Sequence, residues 1–185
     1  MYGSQSPCVE LYDALHERDV DDAYADVLEP WVEQHPDERR WLPDFSQRTE
    51  ASWKAATDED LCMLYAVFRV TSTLLLRFQH GRADGTDYPG PDVSVEGYQL
   101  FHEALGFRVP DVAAFHPFYH EIVRVTQAAS SAAPIEVVEQ HWPALMLGGL
   151  MFCRAGCVVA GGSDHEGRRR AQQVVLDVPS QGSSV

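Results

Sequence analysis

The 185-residue sequence predicts an α+β protein, with about four to five helices in its N-terminal portion and a small antiparallel β-hairpin or meander after them. Three observations carry that expectation. Between Val9 and Leu105, apolar residues recur at the i, i+3, i+4, i+7 spacing of amphipathic helices. Between Ile122 and Ala160 the apolar runs are short and rich in β-branched residues, with small residues and glycine between them. From Gly161 the composition turns polar, so residues 161–185 read as a flexible, disordered tail beyond a single globular domain over 1–160.

Taken in order, Val9 to Glu17 predicts a short helix with Leu11 and Leu15 inward. Val20 to Val32 predicts a second, capped by Asp19 and kinked or restarted at Pro30, which has no N–H for the helical ladder. His35-Pro36-Asp37 ends it, Trp41 to Phe45 reads as an irregular link around Pro43, and a helix over Thr49 to Ala55 carries Trp53. Thr57 with Asp60 forms a capping pattern for the longest helix, 58–79, whose predicted buried stripe is Leu61, Leu64, Tyr65, Phe68, Thr71, Leu75 and Phe78. Three Gly, two Pro and three Asp make Gly81 to Asp92 a loop. Ser94 then caps a helix from Val95 to Leu105, closed by Gly106, with His102 on its inward side.

Residues 121–140 predict a β-hairpin, Ile122 to Thr126 pairing with Ile135 to Glu139 across the Ala128 to Pro134 turn. A further pair, Leu150 to Cys153 with Cys157 to Ala160, would be linked by Arg154-Ala155-Gly156, with Gly156 left-handed. Val174 to Leu176 could add an edge strand.

Charge and composition bound the function. The formal net charge is −14, from 14 cationic and 28 acidic residues, and the excess lies before the tail, which holds 3 of each sign. Such a surface repels phosphate backbones and anionic membranes, so neither nucleic acid nor membrane is an expected partner. The N-terminal Met1 to Pro7 has no basic region followed by an apolar run, so no signal peptide is expected. The richest apolar run, Pro143 to Phe152, is broken by Gly148 and Gly149 and is too short for a span. The expectation is a cytoplasmic protein whose four cysteines are reduced thiols.

Aromatic and ionisable groups are densest from Phe115 to Val123 and from Glu139 to Trp142. The leading reading is an acidic accessory protein that binds another protein through His116, Tyr119, His120, Glu121, Glu139, His141 and Trp142, and needs no cofactor. The rival is a metal-binding protein or small enzyme built on a His/Glu cluster over 102–141. If Pro117 opened a helix, His116 and His120 would share a face and could hold a divalent transition metal with His141 or Glu121. On a strand, residues four apart are roughly 13 Å apart and cannot chelate one ion. The zinc-protease motif is absent, since Ile122, Val123 and Arg124 follow His120-Glu121 without a second histidine. His102 and Glu121 are the candidate catalytic groups. For His102, a core imidazole bonded to a backbone carbonyl is the competing explanation. Cys153 and Cys157 could meet across the proposed turn as a redox pair or part of a metal site, but core packing is the favoured explanation. Gly148-Gly149 lacks the Lys-Ser or Lys-Thr of a phosphate loop.

Overall fold

Among the described residues five α-helices, α1 (Pro7–Glu17), α2 (Glu29–Gln34), α3 (Pro36–Thr49), α4 (Asp58–Leu75) and α5 (Val95–Ala104), precede five strands, β1 (His120–Gln127), β2 (Glu136–Trp142), β3 (Leu145–Leu147), β4 (Leu150–Cys153) and β5 (Ala155–Gly161). The fold is therefore α+β with helices first. This computed structural model describes residues 7–17, 20–49, 55–79 and 90–163. Its contacts divide the chain into two compact units, Met1–Pro110 with Leu145–Cys153 and Asp111–Ala144 with Arg154–Val185. The expected tail beyond Ser163, the edge strand at 174–176, Asp19, most of the loop at 81–92 and the helix around Trp53 fall outside the described residues.

The first unit is built on buried leucines and aromatics, among them Leu11, Leu28, Leu42, Phe45, Leu74, Tyr98, Phe101 and Leu105. The cap of the second helical segment is Asp22, whose carboxylate accepts the N–H groups of Tyr24 (2.9 Å) and Ala25 (3.3 Å). Pro30 restarts the helix as expected. A π-helical turn over Tyr24–Leu28 widens the ladder ahead of it, and α2 resumes with the proline in its first turn, where no N–H is required. Trp31 then ties α2 down by donating from Nε1 to the Pro7 carbonyl at 3.1 Å.

The predicted irregular link at Trp41 to Phe45 is instead the middle of α3, with Pro43 inside it. An interior proline costs a helix about 3 kcal/mol. Leu42 and Phe45, 1% and 0% exposed, each return roughly 1.5–3 kcal/mol through burial, enough to hold the helix through the break. The capping box of α4 forms as read: Thr57 Oγ1 accepts the Asp60 N–H and Asp60 Oδ2 accepts the Thr57 N–H. Arg48 grips the same carboxylate through two bonds, of 3.0 and 2.7 Å.

The buried face of α4 differs from the expected one. Of the expected stripe Thr71 is buried and Leu64, Leu75 and Phe78 are half-buried against the core, whereas Leu61, Tyr65 and Phe68 are exposed and Val67, Val70 and Leu74 point inward in their place. These two sets lie on opposite sides of the helix, and both are apolar. The same all-round apolarity makes Asp58–Phe78, a 21-residue stretch containing an 18-residue window of mean hydropathy 1.5, long and apolar enough to cross a bilayer by length and composition. In α5, Ser94 Oγ accepts the Gly97 N–H at 2.9 Å, and Gly106 closes the helix at φ +86°.

Within this unit β3 and β4 form an antiparallel pair around Gly148-Gly149, with Gly148 at φ +57° as a two-residue hairpin demands, and Arg108 bridges to Met146 on the other side of β3. The expected pairing of Leu150 to Cys153 with Cys157 to Ala160 does not form. Gly156, expected to turn left-handed, lies inside β5, and Cys153 and Cys157 stand in different sheets and form no disulfide.

The second unit holds a mixed sheet in the order β1-β5-β2. The hairpin expected between β1 and β2 is therefore replaced: β5 inserts between them, parallel to β1 and antiparallel to β2. Register shifts leave an extra residue at Val123 in β1 and at Val138 and His141 in β2.

Candidate functional site

The residues singled out in the sequence, His102 and Cys153 apart, lie in the second unit. Phe115 to Tyr119 forms a turn in which the His120 N–H donates to the His116 carbonyl at 3.0 Å. The His116 N–H reaches His120 Nδ1 at 3.1 Å, and the Phe118 N–H reaches His116 Nδ1 at 3.2 Å. The two histidines are thus closer than a strand through both would allow, because the turn curls before β1 begins. Each Nδ1 is engaged with backbone, and His120 is buried. Tyr119 packs against the His116 ring at 5.4 Å and Phe115 against the His120 ring at 5.7 Å, so the turn is held by its own aromatic contacts.

Strand register places the remaining groups. Glu121 and Trp142 both pair with Gly156, one from each neighbouring strand, so they occupy the same level of the sheet although the hairpin that was to unite them is absent. Gly156 is required there, since a Cβ at this position would run into the Trp142 indole. Trp142 Nε1 donates to the Arg154 carbonyl at 2.8 Å, and Arg154 Nε donates to the Phe118 carbonyl at 3.3 Å, which ties the turn to the end of β5. Two pairs along, Arg124 and Glu139 flank Val158 and meet across it at 3.1 Å. His141 Nε2 stands 3.6 Å from Glu139 Oε1, where an imidazolium would pair with the carboxylate.

Among the described residues no group of three or more His, Cys, Asp or Glu side chains stands where it could hold a metal ion. Cys157 is a packing group. Burial, with the Glu121 carboxylate second, pushes its thiol up to about 11, far from thiolate reactivity at neutral pH.

His102 belongs to the first unit and is fully buried. Its Nδ1 lies 2.7 Å from the Tyr98 carbonyl, which can only accept, so Nδ1 carries the proton. Nε2 then accepts from the Thr71 hydroxyl at 2.9 Å, and the Val67 carbonyl at 3.0 Å from that hydroxyl offers it a second destination. Burial lowers the imidazole to about 4, against a smaller upward push from the Tyr98 carbonyl. Beside it, the Tyr98 hydroxyl finds no oxygen or nitrogen acceptor among the described residues and faces the Cys153 thiol, and burial raises that phenol well above its ordinary range.

Sequence reading missed Val123, Val125 and Val138, exposed valines on the two outer strands. It also missed Arg124 as the partner of Glu139. Their β-branched runs were noticed, but which strand would be central was not legible. Comparison with known protein families, curated proteins and solved structures finds no match for this chain.

Proposed function

We propose that this chain is a protein-interaction module that takes an extended segment of a partner protein along the free edge of β1. The observation that supports it is the state of that edge. Among the described residues β1 is hydrogen-bonded only to β5, and Val123 to Gln127 are all exposed, Val125 to 57%. An unpaired strand edge is a template for another strand, and chains ordinarily blunt it with lysine, proline or inward charge. β1 has neither lysine nor proline, and its one arginine is engaged with Glu139.

β2 is the better guarded edge. It carries two extra residues that interrupt pairing and two glutamates, whereas β1 is interrupted once and keeps Arg124 to Gln127 in unbroken register. A peptide selected from a random library against the full chain tests the reading through amide exchange. Binding should protect residues 121–127, and Val125→Pro, which removes an N–H and stiffens the strand, should abolish it. Selected peptides that bind equally well after Val125→Pro would rule out β1.

A further inference from the structure

α4 presents to solvent a second surface, independent of β1. Leu61 (55% exposed), Tyr65 (60%) and Phe68 (46%) follow one another at i, i+4, i+7, opposite the buried Val67, Val70 and Leu74. Large aromatic and aliphatic side chains contiguous on an exposed helix face are unusual in a surface that stays in water. Arg69 sits at one end of the stripe. It stacks over the Tyr12 ring at 4.8 Å and donates to the Tyr12 hydroxyl at 2.9 Å and the Tyr65 hydroxyl at 3.5 Å. No described carboxylate pairs with it, so a fixed, oriented guanidinium stands among tyrosines, the residue mix that dominates binding hot spots. At the other end are the exposed Asp58 and Glu59, while Asp60 is consumed by Arg48.

On a helical wheel Asp58, Leu61, Tyr65 and Arg69 lie within about 80° of one another. The face is therefore acidic at its start, apolar in the middle and basic at its end. Such a face is complementary to itself when reversed. We infer that α4 is a two-fold homodimer interface, in which the antiparallel α4 of a second copy sets Asp58 of each chain against Arg69 of the other and buries Leu61, Tyr65 and Phe68 between them.

The two-fold axis then passes midway between Asp58 and Arg69, beside Cys62 and Tyr65. It brings the exposed Cys62 thiols of the two copies within roughly 5 Å along the helix axis, from a rise of about 1.5 Å per residue. The net charge of −14 on each copy opposes association at long range. At about 0.15 M salt that repulsion is screened beyond about 8 Å, and the contact at the helix decides.

The test is sedimentation of the full chain from roughly 1 to roughly 100 µM at that salt. A concentration-dependent dimer is expected. Asp58→Arg and Arg69→Asp should each weaken it about tenfold or more, and the double exchange should restore it, because the reversed charges again oppose each other. Mild oxidation of the unaltered chain should link two copies through Cys62, which requires no variant to fold. A monomer throughout the concentration range would overturn the inference, as would a dimer that ignores both charge reversals or one broken by Val125→Pro instead. Flotation of the monomeric chain with phosphatidylcholine vesicles, lost in Tyr65→Arg, would give this face to a membrane and equally overturn it. Because the readout is self-association and the variants lie on α4, its failure leaves the peptide-binding proposal for β1 untouched, and the reverse holds.

Discussion

The buried His102 sets how this protein responds to acid. In an unfolded chain its imidazole titrates near 6.5, whereas in the core it is lowered to about 4 by burial. Between those values the unfolded state binds a proton that the folded state refuses, so stability rises with pH across the window. The contribution is complete above about pH 6.5, falls as pH decreases, and levels off below about 4. Worked through the linkage relation, the loss relative to neutral pH is about 2 kcal/mol at pH 5 and about 3 kcal/mol at pH 4, an order-of-magnitude figure for a marginally stable fold. Hydrogen bonding does not prevent the titration. A protonated Nε2 could donate to Thr71, whose hydroxyl would turn to the Val67 carbonyl, so the penalty is that of placing a charge among Tyr98, Phe101 and Phe107. Urea melts at pH 7.5, 5 and 4, for the unaltered chain and for His102→Gln, measure it. The variant should be less stable at neutral pH but should lack this part of the acid slope. Parallel pH profiles for the two proteins would refute the reasoning. If the variant does not fold, a His102 ring signal titrating near 6.5 in the unaltered protein would do so.

Asp60 acts in a lower window. The Arg48 guanidinium, aided by the Thr57 N–H and hydroxyl and opposed by burial, holds its carboxyl well below the usual carboxylate range, so its stabilisation is present above about pH 3.8 and is lost as pH falls further. Arg48→Ala should lower the urea midpoint at pH 7 more than Arg40→Ala, whose partner Asp37 is exposed, and equal midpoints would count against the Asp60 clamp. Leu74→Ala should cost about 2–5 kcal/mol and Phe68→Ala about 1 kcal/mol when both are measured in dilute, monomeric protein; the opposite ranking would show that the wrong face of α4 had been assigned to the core. Gly156→Ala should destabilise the β1-β5-β2 sheet by about 1–3 kcal/mol through collision with the Trp142 indole, seen as a change in tryptophan emission. Unchanged emission and stability would mean that the indole does not cover Gly156.

The sequence by itself determined the class of the fold and the local signals that start and stop its elements. Thr57 with Asp60, Ser94, Gly106 and Pro30 act through bonds to residues a few positions away, so their effect is written within one turn of chain. The β character of Ile122 to Thr126 and Ile135 to Glu139 was equally local, a matter of branching at Cβ. Tertiary structure decided everything that needed a choice between equivalents. α4 is apolar on opposite sides, and only packing selects Val67, Val70 and Leu74 over Leu61, Tyr65 and Phe68. Pro43 reads as a helix breaker until Leu42 and Phe45 are buried on the same helix. β1 and β2 could have paired directly across Ala128 to Pro134, yet the buried Cys157, Val158 and Val159 of β5 supply a more apolar partner for both, and a central strand can come from any distance along the chain. That substitution also determined the site, because partner strands set by register, not proximity in sequence, are what put Glu121 level with Trp142 and Arg124 opposite Glu139.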